Sequence, residues 1–379
     1  MRFLIAGGVL LLLGLSLAEY TRRNPQKKDT VSATDGSGDS TGDLAGDAKG
    51  DPRKKWPKAM ATLLELDAPG TDSPAAPAAE FTALLGKPTD AALAGYAPLT
   101  GGPFSAHHLS GGFNSALFVM DAQGKSALVR VESGEAPKVL FVRDQPITAL
   151  DVDGSTAFFA SGGVVGATLA RGGEPVTVRA RFKNATVTSL AASGDTLVLT
   201  LMPKDADPKS TDAVGAVVSL TGSGELSLIA SEVERPRAAQ TDGKDAWWIS
   251  SAGSLWRGAL DGSFSSMLTD EADEPLALEG DALFFNSPRG SGPELRRIGR
   301  AGGNLQTLIA ADVGQLTVTS GLVRFTTRGA GAGLLELTSG AEATKVLALP
   351  ASGRGLAVGG TTVFFVTQGD DGRSVVWAK

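Results

Sequence analysis

The sequence of 379 residues has no cysteine and only two histidines. The absence of cysteine excludes disulfides, thiolate nucleophiles, iron–sulfur clusters and cysteine-ligated zinc, and two histidines cannot form a three-histidine metal site. An excess of positive charge is also missing, because 35 Lys and Arg face 41 Asp and Glu, giving a net charge of −6. A nucleic-acid-binding protein concentrates basic residues on one surface. We therefore expect no nucleic-acid partner, and we predict no cofactor.

The N-terminal segment, residues 1–20, contains an uncharged apolar run over residues 3–18. A signal-peptide core has about 7–15 apolar residues and a spanning helix about 20, so this run lies between the two. Basic residues follow it closely, at Arg22, Arg23, Lys27 and Lys28. Such charges hinder export. We expect a signal peptide and a periplasmic or cell-envelope location, with an uncleaved inner-membrane anchor over residues 3–18 as the alternative.

Residues 21–58 are predicted to be a disordered linker with basic flanks. Aspartates recur every fourth residue from Asp35 to Asp51, and a glycine precedes each one after the first. Regular carboxylates suggest calcium binding, but the spacing matches no EF-hand loop, so a flexible, self-repelling spacer is the preferred interpretation. Residues 59–106 are rich in Ala and Pro. We predict a short helix over residues 59–67 and a strand within Phe81–Leu99 that closes the following domain.

A repeat of about forty residues dominates the remainder, residues 107–379. The phrase Asp153–Phe159 aligns with Asp242–Trp248, and a glycine followed by an aromatic or apolar pair recurs at Gly280 and Gly360. Each repeat contains four short alternating segments separated by Asp-Gly or Gly-Gly turns, which is typical of antiparallel hairpins. Four strands every 40 residues or so predict a β-propeller blade. We therefore expect an all-β, seven-bladed β-propeller, with six or eight blades as alternatives and a sandwich or solenoid as the competing folds.

Two repeat segments carry a family resemblance. Arg300–Ile309 and Ala170–Val176 each place Gly-Gly after an arginine and before apolar residues. This pattern resembles the third and fourth strands of secreted bacterial propellers of the TolB-like, NHL-like and YVTN-like kind. The resemblance implies the fold and covers residues 107–379. It implies no catalytic residue, and the dipeptides typical of WD repeats are absent.

Propellers usually bind partners on the face where loops enter the innermost strands. The loops predicted there hold a dense acidic cluster, which would receive a cation or a basic partner unless it is simply a solvated turn. They also hold separate arginines, and the insert with Asp205 and Asp207 joins the same face. The candidate partner-binding residues are Asp270, Glu271, Asp273, Glu274, Arg143, Arg235, Arg289 and Arg354.

The adjacent residues His107 and His108 are candidates for the central channel. Neighbouring strand residues point to opposite faces, so we expect that the two cannot chelate one ion. The predicted innermost strands are apolar and contain few carboxylates, which disfavours a channel metal. Trp247 and Trp248 would stack a sugar if exposed, but their place in the repeat favours the core.

These features together predict a non-catalytic interaction module of the bacterial cell envelope, which docks an envelope protein or scaffolds a complex. Catalytic residue types are scarce, while a rigid ring with loop-rich faces suits partner docking. The alternatives are a hydrolase or lactonase-like enzyme with a channel metal, and a glycan- or peptide-binding sensor. We assign no catalytic and no metal-binding residues.

Overall fold

A computed structural model describes residues 56–67, 79–86, 93, 95–173, 175–207, 210, 213–288, 292–328, 332–338, 344–349 and 352–379. The predicted signal peptide or anchor and nearly all of the predicted linker lie outside these residues. Within them, no helix is both long and apolar enough to cross a membrane.

Seven four-stranded antiparallel sheets confirm the predicted seven-bladed β-propeller. Two short helices, α1 (Lys58–Leu63) and α2 (Ala79–Leu84), precede the sheets. In chain order the strands are β1 (Ala97–Gly102); blade 1, β2 (Ser105–Gly111), β3 (Ser115–Ala122), β4 (Lys125–Glu132), β5 (Lys138–Arg143); blade 2, β6 (Ile147–Asp153), β7 (Thr156–Ser161), β8 (Val164–Leu169), β9 (Thr177–Arg181); blade 3, β10 (Ala185–Ser193), β11 (Thr196–Pro203), β12 (Val214–Leu220), β13 (Leu226–Glu234); blade 4, β14 (Arg237–Thr241), β15 (Asp245–Ile249), β16 (Leu255–Ala259), β17 (Ser265–Thr269); blade 5, β18 (Asp273–Glu279), β19 (Ala282–Ser287), β20 (Glu294–Gly299), β21 (Gln306–Ala310); blade 6, β22 (Val313–Thr319), β23 (Leu322–Thr327), β24 (Gly333–Thr338), β25 (Thr344–Ala348); and blade 7, β26 (Ser352–Gly359), β27 (Thr362–Gln368), β28 (Ser374–Ala378).

The repeated glycine forms the turn between the first two strands of a blade. Gly154, Gly194 and Gly280 each have φ of 58°, a left-handed conformation that glycine adopts without steric cost. In blade 1 the sequence alignment places Gly112 at this point, but Asn114 has the positive φ, 57°. Asparagine tolerates this conformation better than most residues, so the turn is conserved in geometry although its residue is shifted.

The core lies between neighbouring blades, because the second strand of each blade is buried on both faces. Phe158 packs towards blade 3 and Phe159 towards blade 1, and each is at most 1% exposed. In the same way, Trp247 packs towards blade 5 and Trp248 packs towards blade 3. Their side chains are 0% and 1% exposed, respectively. The interpretation of these tryptophans as core residues is confirmed. Packing of neighbouring sheets through such pairs sets the radial arrangement.

The N-terminal segment closes the ring. Strand β1 pairs antiparallel with β28, which gives blade 7 the order β1-β28-β27-β26. This strand overlaps the range expected for a closing strand only at residues 97–99. Without β1, the edge of β28 would offer unpaired backbone groups to other chains.

Both short helices pack onto the ring, and together they are called here the strap. From α1, Met60 and Leu63 are buried against blades 2 and 3, and Leu66 forms a backbone bridge with Phe182. From α2, Phe81 is fully buried in a cluster with Phe104 and Val139 of blade 1. The strap therefore adds core to the blades rather than lying loosely over them.

Removing the Phe81 ring tests whether the strap is part of the folded core. We expect Phe81→Ala to lower the free energy of unfolding by about 3–5 kcal/mol, because it opens a cavity in a closed apolar cluster. The measurement is urea denaturation followed by circular dichroism. Phe113→Ala is the matched control, since Phe113 is 85% exposed. Equal effects of the two substitutions would contradict a structural role for the strap.

Candidate functional site

The face on which the innermost strands begin is called here the upper face. Each of the seven innermost strands carries a bulge close to its start, on that side of the ring. A bulge inserts a residue and re-aims its side chain. The bulge residues are His108, Thr148, Thr188, Ala238, Glu274, Gly314 and Arg354, and all except Arg354 line a cavity of about 330 Å³ at the upper mouth of the channel.

The bulges also connect neighbouring blades. The Thr148 hydroxyl donates a hydrogen bond to the carbonyl oxygen of Val187 at 2.7 Å, and the Thr188 hydroxyl donates to that of Pro236 at 3.0 Å. Each threonine thus satisfies a carbonyl of the next blade. These two hydrogen bonds tie blades 2, 3 and 4 together at the channel mouth.

The expectation that His107 and His108 point to opposite faces is wrong. The bulge in β2 places His108 in a left-handed conformation with φ of 47°, and the two imidazole rings meet edge to face at 4.6 Å between centroids. The alternation of side chains fails here because an inserted residue breaks the two-residue period.

A polar chain anchors this histidine pair. His107 Nε2 lies 2.6 Å from Asp121 Oδ2, and Ser126 donates its hydroxyl to the other Asp121 oxygen. Although burial opposes the shift, the hydrogen bonds from His107 and Ser126 hold the pKa of Asp121 below its usual range. Because Ser126 bonds to the carboxylate and not to a histidine, this trio lacks the nucleophile–base contact of a serine hydrolase.

His108 and Glu274 project into the channel mouth, where each is open to water in the lumen and surrounded by protein on its other sides. That enclosure, with help from His107, lowers the pKa of His108 to about 4, so the ring is neutral at pH 7. Burial raises the pKa of Glu274, although Arg237 and Arg328 oppose the shift. His108 therefore presents a neutral imidazole to the mouth, and the cationic group among the lining residues is Arg328.

One residue of each innermost strand lies deeper along the channel. These residues are six leucines and one glutamine: Leu109, Leu150, Leu190, Gln240, Leu276, Leu316 and Leu356. Four of the seven also border the upper cavity, and a second cavity of about 490 Å³, called here the lower chamber, lies on the far side. The leucines pack into the apolar clusters between blades, so the predicted apolar character of the innermost strands serves the inter-blade core.

Asp151 is the ionisable residue lining the lower chamber. Its carboxylate accepts hydrogen bonds from the backbone of Val152 and Ala192 at 2.8 and 2.9 Å, and from the Ser110 hydroxyl at 3.3 Å. Burial raises the pKa of Asp151 to about 6 in spite of these donors. Asp151 thereby joins three consecutive blades through one side chain.

The predicted acidic cluster does not form one unpaired patch. Asp273 and Glu274 lie on β18 itself, and Arg237 approaches them at 2.8 and 3.8 Å. Glu271 pairs with Arg296, and Asp270 also interacts within the chain. The arginines come from β14 and β20, so the sequence spacing of the acidic residues could not predict these ion pairs.

A groove of about 440 Å³ lies on the upper face between blades 3 and 4. Its apolar wall contains Met202 and Pro236, and its polar wall contains Lys204, Arg235 and Arg237. The Arg235 guanidinium donates to the Ser210 carbonyl oxygen at 3.1 Å, while the buried Arg237 Nε has no acceptor among the described residues. Of the predicted binding residues, only Arg235 lines this groove.

The other predicted residues are dispersed. Arg143 ends β5 in blade 1 and lies over the Phe159 ring, 5.9 Å from its centroid. Arg354 is exposed on the bulge of β26, and Arg289 lies outside the described residues. In the sequence, the polar insert after β11 is the feature that indicates this groove, because the insert supplies two of its lining residues, Lys204 and Asp207. Sequence reasoning missed Lys204, Met202 and Arg237.

Among the residues described by the structure, no group of three or more His, Asp or Glu side chains lies close enough together to hold a metal ion.

Comparison with known proteins shows the fold alone. No protein-family profile matches the chain. No curated protein sequence matches it either. Among solved structures, Pyrococcus horikoshii acylaminoacyl peptidase is 12% identical over 72% of this chain and 51% of its own, with a TM-score of 0.55. The match thus spans about half of the peptidase.

Two further solved structures match the ring over nearly their whole length. The β-propeller domain of Cps50 (Swd1) from Myceliophteria thermophila is 12% identical over 72% of this chain and 96% of its own, with a TM-score of 0.53. The computationally designed Ika8 protein is 14% identical over 74% and 98%, with a TM-score of 0.50. The chain is thus a β-propeller, and its narrower resemblance to TolB-like, NHL-like and YVTN-like proteins stays an expectation.

The raised pKa of Asp151 predicts a pH dependence of stability. The folded chain retains this proton between the ordinary pKa of 3.8 and about 6, whereas the unfolded chain has released it. The contribution of Asp151 to the free energy of unfolding therefore falls as pH rises through that window. Urea denaturation of the wild type and Asp151→Asn should show a difference that changes in this direction. A difference that is constant from pH 4 to pH 7 would contradict the assignment.

Proposed function

We propose that this protein is a non-catalytic interaction module of the bacterial cell envelope, and that it docks a protein partner in the upper groove between blades 3 and 4. The observation that carries the proposal is the composition of that groove. Its lining combines apolar residues such as Met202 and Pro236 with three cationic residues and one acidic residue in a cleft of about 440 Å³; the charged residues are Lys204, Arg235, Arg237 and Asp207. Such a mixed wall suits a peptide segment with a carboxylate next to an apolar side chain.

Two features make the groove receptive to an acidic group. Lys204 is exposed and has no ion-pair partner among the described residues, so its charge is available. Arg237 already neutralises Asp273 and Glu274, but its buried Nε still lacks an acceptor. An incoming carboxylate or carbonyl oxygen would satisfy that donor once the Arg237 side chain turns to expose it, and an unpaired buried donor costs about 1–3 kcal/mol.

The envelope location is supported by the apolar run over residues 3–18, which fits export or anchoring. The predicted spacer would let the ring reach partners near the membrane. The enzyme alternative receives less support, because the His107–Asp121–Ser126 arrangement places no nucleophile beside a base.

Site-specific photo-crosslinking tests the groove directly. A photoreactive residue at position 204 should capture one protein in cells that make this chain, because Lys204 borders the docking cleft. Position 244 is the matched control, since Lys244 is also exposed but lies in the turn between β14 and β15, on the opposite face. We expect Lys204→Glu to abolish co-purification of the captured protein and Lys244→Glu to leave it unchanged.

Identical products from both positions, or none from position 204, would contradict docking in this groove. Cell fractionation of the same samples reports the compartment. A captured partner and a chain found only outside the envelope would contradict the proposed location while leaving the groove intact.

A further inference from the structure

Blades 4 and 7 share an aromatic pair at the same place in the sheet. In blade 4, Trp248 on β15 is the cross-strand partner of Trp256 on β16, and their rings are nearly parallel at 6.5 Å between centroids. In blade 7, Phe365 on β27 is the partner of Trp377 on β28, with rings nearly parallel at 6.1 Å. Both pairs join the second and third strands of their blades.

The two pairs differ in what covers them. In blade 7, Tyr96 packs edge to face on Phe365 at 5.1 Å, and Trp377 is 1% exposed. The apolar residues Leu93 and Leu349 complete that cover. In blade 4, Trp256 is only half-buried, and it borders a groove of about 390 Å³ against the outermost strand of blade 3.

Strand register explains the difference. Trp377 pairs with Pro98, and Tyr96 lies two residues before that partner. Trp256 pairs with Met267, and the residue two before it is Ser265, which lines the groove. Residues two apart on a strand share a face, so Ser265 occupies the position that Tyr96 fills in blade 7. A serine there leaves a space of the size of a ring.

The walls of the space are partly apolar and partly polar. Hydroxyl groups of Ser231, Ser254 and Ser265 line it, together with Glu232 and Glu234. No Lys or Arg is among the lining residues, and neither carboxylate has an ion-pair partner in the described part of the chain. The groove therefore suits an uncharged ring that donates hydrogen bonds to carboxylates and serines.

The unpaired indole N–H of Trp248 also favours a sugar over a cation as the ligand. In blade 7 the Trp377 indole N–H donates to the Thr367 hydroxyl at 2.9 Å. In blade 4 the Trp248 indole N–H is buried and has no acceptor among the described residues. A cation offers no acceptor to this N–H, whereas a sugar hydroxyl both donates and accepts and could serve it once a small movement of the ring exposes it.

We propose that the groove between β13 and the Trp248–Trp256 pair binds a pyranose ring of an oligosaccharide. The sugar ring would stack on the partly exposed Trp256, which Trp248 supports from beneath. Its hydroxyls would bond to Ser231, Ser265 and Glu232 along the rim. The volume lies within the range of small-molecule sites, roughly 300–1,000 Å³. This site is separate from the proposed docking groove and does not depend on it.

Titration calorimetry and tryptophan fluorescence test the proposal on the full chain. The probes are tetrasaccharides of glucose, mannose, galactose and N-acetylglucosamine. We expect at least one to bind with a change in tryptophan emission. Ser265→Tyr should weaken that binding by about tenfold or more, because it places a ring where Tyr96 lies in blade 7.

Ser266→Tyr is the matched control, since Ser266 is exposed on the same strand but faces the other side of the sheet. It should leave binding unchanged. Trp256→Phe should retain weakened binding, and Trp256→Ala should lose it. Thermal unfolding of each variant separates loss of the site from loss of the fold, and Ser265→Tyr should be at least as stable as the wild type because it fills a cleft.

Three outcomes would overturn the proposal. One is the absence of binding to every tetrasaccharide. Another is binding of N-acetyltyrosinamide without any sugar, which would make the groove a pocket for an aromatic peptide side chain. The third is binding of tetramethylammonium that is lost in Glu232→Gln, which would make it a cation site.

Discussion

The edge of β28 is the constraint on which the rest of this structure depends. Six blades take all four strands from one continuous stretch of chain, but the seventh obtains its outermost strand, β1, from before blade 1. Main-chain hydrogen bonds between β1 and β28 therefore hold the two ends of the ring together. They also place Tyr96 on the Phe365–Trp377 pair, because Tyr96 directly precedes β1. Pairing of β1 with β28 therefore both closes the ring and covers the aromatic pair of blade 7.

Closure also determines what the channel can be. The seven innermost strands meet the lumen at fixed spacing, and their bulges turn His108 and Glu274 into its mouth. The upper cavity and the lower chamber meet at residues such as Leu150 and Leu276, which line both. If β1 did not pair with β28, the innermost strands would lose this spacing and the side chains would no longer lie at the same level of the channel. The features of functional interest therefore depend on closure of the ring.

The sequence carried the architecture because the architecture is periodic. Repeated glycines with positive φ, such as Gly154 and Gly194, leave a trace every forty residues, and the aromatic pairs that follow them predict the inter-blade core. What the sequence could not reveal arises between repeats. The bulge that brings His107 and His108 together breaks the alternation on which their separation was predicted. The arginines that neutralise Asp273 and Glu271 arrive from other strands. Ser265 and Tyr96 occupy equivalent positions because of the strand register, and the sequence around either residue does not indicate that register.

The two proposed binding sites lie on either side of the junction between blades 3 and 4. Arg235 and Ser251 border the docking groove, while their chain neighbours Glu234, Ser250 and Ala252 border the sugar groove. The docking groove has three cationic residues beside the single carboxylate of Asp207, whereas the sugar groove has two carboxylates and no Lys or Arg among its lining residues, so the grooves suit different ligands. A ligand in one groove would therefore contact the same two loops that shape the other.

The most direct test of ring closure is a disulfide between the two paired strands. Thr100 and Val376 are register partners, and the chain has no cysteine of its own to compete. Cross-strand partners lie within disulfide reach, so Thr100→Cys with Val376→Cys should form a bond on mild oxidation, detected by peptide mapping. Thr100→Cys with Val366→Cys should not, because Val366 lies one strand further inward. Equal crosslinking of both pairs, or of neither, would contradict closure of the ring by β1.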